Sequence, residues 1–149
     1  MKIKKLLSFI NLLLFFFLLS TANTFAHEGA KGIIKERMDK FKESKQLMKK
    51  INAGLQNDDF KVIEESAQML LLWSKEMHNF FPEGSDISPS EASSDIWLNP
   101  EGFNKAIKNF ELASLELINK SNTNDSDKTI NAFRNLADTC KGCHQKFRN

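Results

Sequence analysis

Beyond residue 30 the apolar positions recur at helical spacing, interrupted by three polar or helix-breaking runs. From Lys31 to Leu55 the repeat is Ile34, Met38, Phe41, Met48 and Ile51, with Lys and Glu on the other faces, which predicts a first amphipathic helix. Asn57 and Asp58 offer N-caps for a second helix with the stripe Phe60, Ile63, Ala67, Leu70, Trp73, Met77 and Phe81. Within it, the run from Met69 to Trp73 is apolar around most of the circumference and predicts the most buried segment. Pro82, Gly84 and the Ser-rich stretch to Ser94 break the period and predict a loop. Loops of that length are uncommon and often functional. Asn99, Pro100 and Glu101 then supply a cap, a proline at the first helical position and an early acidic residue. The third helix carries Phe103, Ala106, Ile107, Phe110, Ala113 and Leu117 on one face. After a polar turn from Ser121 to Asp127, the last helix aligns Ile130, Phe133, Ala137, Cys140, His144 and Phe147. Four such helices with short or moderate connections predict an all-α, up-and-down four-helix bundle.

The N-terminal segment has a different pattern. Lys2, Lys4 and Lys5 precede an apolar run from Leu6 to Leu19, and small or polar residues lead to Ala26. This is the layout of a secretory signal peptide over residues 1–26, with processing after Thr24-Phe25-Ala26 and residues 27–149 as one mature domain. The apolar core falls short of the roughly 20 residues a membrane span requires, and Asn11 interrupts it. Export predicts a periplasmic protein without a membrane span. Removing the segment takes three of the 21 basic residues and none of the 19 acidic ones, so the mature chain is near neutral. No basic face remains to suggest nucleic acid. Five of the 13 phenylalanines also leave with it and contribute nothing to the core.

The chemistry lies in Cys140-Lys141-Gly142-Cys143-His144. Two thiols three positions apart, followed at once by an imidazole, form the pattern by which haem is attached to a chain. Cys140 and Cys143 would add across the two vinyl groups as thioethers, and His144 would then be placed to ligate the iron. A redox disulfide is a second use of C-x-x-C, but it expects strands alternating with helices, and nothing here reads as strand. Structural zinc normally requires four ligands, and these are the only two cysteines. No paired carboxylates, activated nucleophile or phosphate-cradling glycine loop suggests an enzyme.

The ending Cys140 to Arg148, Arg37 in the first helix and Ile96-Trp97 before the third together resemble the cytochrome c prime family, the class II c-type cytochromes. In that family the haem motif closes a four-helix bundle, and the resemblance covers essentially the whole mature sequence. It implies one haem c per chain, held through Cys140 and Cys143, with His144 as axial ligand. It also implies that Arg37 approaches a haem propionate and that Arg148 stands beside the proximal histidine. Trp97 and Phe103 become haem-edge contacts, although plain core packing fits them equally. Low-spin relatives place a methionine four residues after this arginine, and here that position is Phe41. A phenylalanine cannot coordinate iron, which implies a five-coordinate site that binds a diatomic gas such as nitric oxide while cycling between Fe(III) and Fe(II). The alternative is a six-coordinate electron carrier serving a redox partner protein, with Met38, one turn from Phe41, as distal ligand. The family further implies a homodimer through the first two helices.

Overall fold

The computed structural model describes residues 30–149, so the predicted signal peptide lies outside the described residues. Its helices are α1 (Gly32–Gln56), α2 (Phe60–Glu76), the one-turn α3 (Asp95–Leu98), α4 (Pro100–Ser121) and α5 (Ser126–Phe147). The four long helices form the bundle expected, and no strand occurs among the described residues. Extensive packing joins α1 to α2, α2 to α4 and α4 to α5, whereas α1 and α5 meet over a narrow seam. The core runs between them and is completed by Ile51, Ile63, Leu70, Leu117 and Leu136, all fully buried.

Local chemistry sets the helix ends. Asn99 accepts a hydrogen bond from the Gly102 N–H at 3.0 Å with Pro100 at the first helical position, as the sequence predicts. The α2 cap is Asp59, not Asn57 or Asp58; its carboxylate accepts from the Val62 N–H at 3.1 Å. Asn57 instead closes α1, and Asp58 turns the chain with φ of 51°, a left-handed conformation that Asp tolerates better than most residues. Asp125 caps α5 through the Lys128 N–H at 3.0 Å. Buried hydroxyls return their hydrogen bonds to their own helices: Ser114 donates to the Phe110 carbonyl at 2.8 Å and Thr129 to the Asp125 carbonyl at 2.7 Å.

Three faces differ from the apolar pattern. On α1 the buried residues are Ile34, Arg37, Leu47, Ile51 and Gly54, and Met38 is only half-buried. On α5 they are Thr129, Ala132 and Leu136, one position away from the predicted stripe through Ile130, Phe133 and Ala137, together with Phe147, which the stripe includes. On α2 the run from Met69 to Trp73 is not buried all round, because Leu72 is 63% and Met69 46% exposed on the outer side. The helix also stops early: after Glu76 it tightens into a 3-10 turn, Met77–Phe80. Phe81 precedes Pro82, and that position disfavours the α conformation.

The α1–α2 turn depends on close approach. A Cβ on Gly54 would lie 2.8 Å from Ile63 Cγ1 and 3.2 Å from the Asp59 carbonyl oxygen, which are closer than ordinary contact. The Gly54 carbonyl accepts the Asp59 N–H at 2.9 Å, so the two segments cannot part without losing that bond. Gly54→Ala is therefore expected to lower stability by about 1–3 kcal/mol, the range for overpacking, measured by denaturant unfolding. A variant as stable as the wild type would show that the turn relaxes freely.

Candidate haem-binding site

The last turns of α5 carry Cys140, Cys143 and His144. Both cysteines are free thiols, half-buried and packed against the core. Burial raises both thiol pKa values, that of Cys143 to about 11, so neither is a thiolate at neutral pH. Cys143 opens onto a groove of about 490 Å³ between α4 and α5, lined also by Gly102, Ala106, Thr139 and Phe147.

His144 lies on the exposed rim rather than within the buried α5 stripe. Partial burial, aided by the positive charge of Arg148, pushes its pKa down, and Glu91 pushes it up. The net effect favours the neutral imidazole, the form that can ligate a metal. Across the α1–α5 seam it meets Phe41, with ring centroids 6.3 Å apart and planes at 68°. Phe41 in turn touches Trp73 at 5.7 Å and Phe81 at 6.3 Å, both edge to face. The chain of rings continues from Phe81 to Phe103 at 4.9 Å and from Phe103 to Phe147 at 5.3 Å. Phe103 is thus buried in an aromatic file behind the site, and Trp97 lies at its margin, donating its indole N–H to the Phe81 carbonyl at 3.1 Å. Met38 is not among the side chains packed against this core.

Arg37 is only 3% exposed. It donates from Nη1 to the Phe80 carbonyl at 2.9 Å and to Ser85 Oγ at 2.8 Å. From Nη2 it donates to the Ser85 carbonyl at 2.6 Å and to Ser90 Oγ at 2.8 Å. Its guanidinium also lies 4.4 Å from the Phe81 ring centroid, a cation–π distance. Burial lowers its pKa and the nearby Asp86 opposes that, but a guanidinium stays charged under all ordinary conditions. Arg37 therefore fastens the loop after α2, and of its five N–H groups only that on Nε is uncommitted by these bonds. Arg148 sits one turn beyond His144 and pairs with Glu91, Nε donating to Oε2 at 2.7 Å. Sequence reading missed Glu91, Ser85 and Ser90 because loop residues carry no periodic signal. Phe81 was visible as an apolar position, although not as the hub between Phe41, Phe103 and Arg37.

The donor set fits a covalently held haem: two protonated thiols one turn apart, a neutral imidazole following at once, and an apolar ring facing it. Among the described residues no group of three or more His, Cys, Asp or Glu is placed to hold a metal ion, so the thiols have no partners for a zinc site. Nor is any described helix long and apolar enough to cross a membrane.

Known proteins share this fold. The profile of the Cytochrome C' family matches residues 32–148. The solved cytochrome c' of Rubrivivax gelatinosus is similar at 27% identity and a TM-score of 0.70, over 78% of this chain and 94% of that one. Cytochrome c prime from Shewanella frigidimarina is similar at 26% identity and a TM-score of 0.72, with the same coverage. A nitric oxide complex of a variant cytochrome c prime from Alcaligenes xylosoxidans shares the fold at 20% identity and a TM-score of 0.70, again over 78% and 94% of the two chains. No curated protein matches by sequence. The chain belongs to the cytochrome c prime family, a family of haem-binding electron-transfer and gas-binding proteins rather than enzymes.

The loop attachment gives a direct test. Arg37→Gln removes charged hydrogen bonds from a buried site and is expected to cost about 3 kcal/mol, on the order of two such bonds. Hydrogen exchange should accelerate across residues 81–94 before it does in the helices. Uniform acceleration instead would mean that Arg37 supports the bundle and not the loop.

Proposed function

We propose that the chain is a periplasmic monohaem cytochrome whose haem c is attached through Cys140 and Cys143 and ligated by His144, with a five-coordinate iron open to small diatomic gases. The observation that carries this reading is the Phe41 ring facing His144 at 6.3 Å. When bound, the haem supplies an iron that cycles between Fe(III) and Fe(II) and offers one open position to a gas such as nitric oxide. Phe41 presents that position with a surface that neither coordinates nor donates hydrogen bonds. Water gains little there, whereas a small neutral molecule loses little. The Phe41 ring has to turn aside on entry, and its edge-to-face contacts with Trp73 and Phe81 resist that movement. Arg37 supports a propionate through its Nε–H, and Arg148 stands beside the proximal histidine. The half-buried Met38 outside the packed core weighs against the six-coordinate alternative.

The experiment is the ferric and ferrous absorption spectrum before and after anaerobic addition of nitric oxide. High-spin spectra that change with the gas are expected, and low-spin spectra indifferent to it would overturn the reading. Phe41→Met should shift the iron toward low spin, and His144→Ala should retain covalent haem with an altered ferric spectrum.

The outer face of α1 and α2 supports association with a second copy. Leu72 and Met69, 63% and 46% exposed, border a groove of about 510 Å³ over Leu47 and Trp73. One structure with this fold, at 22% identity, is described as a cytochrome c' with ligand-controlled dimer dissociation. Leu72→Glu should give a monomer by analytical ultracentrifugation, and an unchanged dimer would place the interface elsewhere.

A further inference from the structure

Resting on the haem reading above, we infer that Glu91 is a positioning residue. It holds the Arg148 guanidinium beside His144 and thereby sets the charge that the axial imidazole and its iron experience. Arg148 follows the last turn of α5, its backbone N–H donating to the His144 carbonyl at 3.2 Å. Glu91 comes from the loop before α3, 57 residues earlier. Arg148 Nε and Nη2 converge on a single oxygen of Glu91, Oε2. The backbones on either side are joined as well. Ala92 and Arg148 form an antiparallel bridge, the Ser93 N–H donates to the Phe147 carbonyl at 3.0 Å, and the Asn149 N–H to the Glu91 carbonyl at 2.9 Å.

Two consequences separate this pair from an ordinary surface ion pair. Its side chains leave from backbone positions already fixed against each other, so little further ordering is needed to hold the guanidinium in one place. Both are about half exposed, at 52% and 49%, so the pair adds little to stability and its main effect is on the location of charge. Both charges are tied to the turn that bears the imidazole, Arg148 through its N–H on the His144 carbonyl and Glu91 through Arg148, and they are of opposite sign. A cation near the iron disfavours Fe(III) and a carboxylate favours it, so the pair keeps the two influences balanced.

The test uses the haem-loaded protein and spectroscopic redox titration, with thermal unfolding measured in parallel. Glu91→Gln leaves Arg148 unpaired and should shift the reduction potential upward. Arg148→Gln leaves Glu91 unpaired and should shift it downward. The double variant should return toward the wild-type potential even where its thermal stability falls further, and Glu91→Asp, which retains the charge, should stay closer to wild type than Glu91→Gln. Potentials that do not move, or that move the same way in both single variants, would overturn the inference and reduce the pair to a structural tie. His144→Ala, recorded alongside, separates the two levels. An unchanged ferric spectrum in that variant overturns the axial-ligand reading and the inference with it. A changed spectrum without opposed potentials overturns the positioning role alone.

Discussion

A buried guanidinium must find acceptors for its hydrogens or lose several kcal/mol. In this protein Arg37 finds them in the loop that follows α2, and that requirement shapes the end of the bundle holding the site. The Phe80 and Ser85 carbonyls and two serine hydroxyls turn toward α1 because the charge is there. Phe81, held over the guanidinium face, is thereby presented to Phe41 on one side and Phe103 on the other. The position of the Phe41 ring opposite His144 therefore follows from a polar constraint as much as from apolar packing.

The bundle was legible because amphipathic helices state their period in the chain, and because Asn99-Pro100 mark a helix start by backbone chemistry alone. The C-terminal motif was legible for a different reason: thiol and imidazole at fixed spacing have few other uses. What could not be read was rotation. The α5 stripe was phased on Cys140 and His144, but the helix turns Leu136 inward and leaves His144 on the rim. Arg37 was legible as a family position, and its burial was not, since arginine usually lies at the surface. The outward Leu72 shows the converse, an apolar residue in a hydrophobic run left 63% exposed among the described residues.

The bundle and the site share part of one core. Its fully buried centre is aliphatic, at Ile51, Ile63, Leu70, Leu117 and Leu136, and the same continuous cluster takes in Trp73, Phe103 and Phe147. The site depends on a file of aromatic rings, two half-buried thiols and a seam where α1 and α5 scarcely touch. Substitutions at the half-buried Phe41 and at the two thiols leave that buried centre intact, which is how one architecture accommodates both carriers and gas binders.

The ties between the α3 loop and the C-terminus also bear on the order in which the molecule assembles. They join residues 57 apart in sequence, whereas the α4–α5 pair closes through a four-residue turn, 122–125. Local pairs form readily, and ties across long separations follow once the helices are in place. The same ties are few and lie near the surface, so they open at lower free energy than the core. The seam between the α3 loop and the C-terminus, beside the turn that bears the imidazole, is thus a late contact to close and one that can reopen while the bundle stays folded.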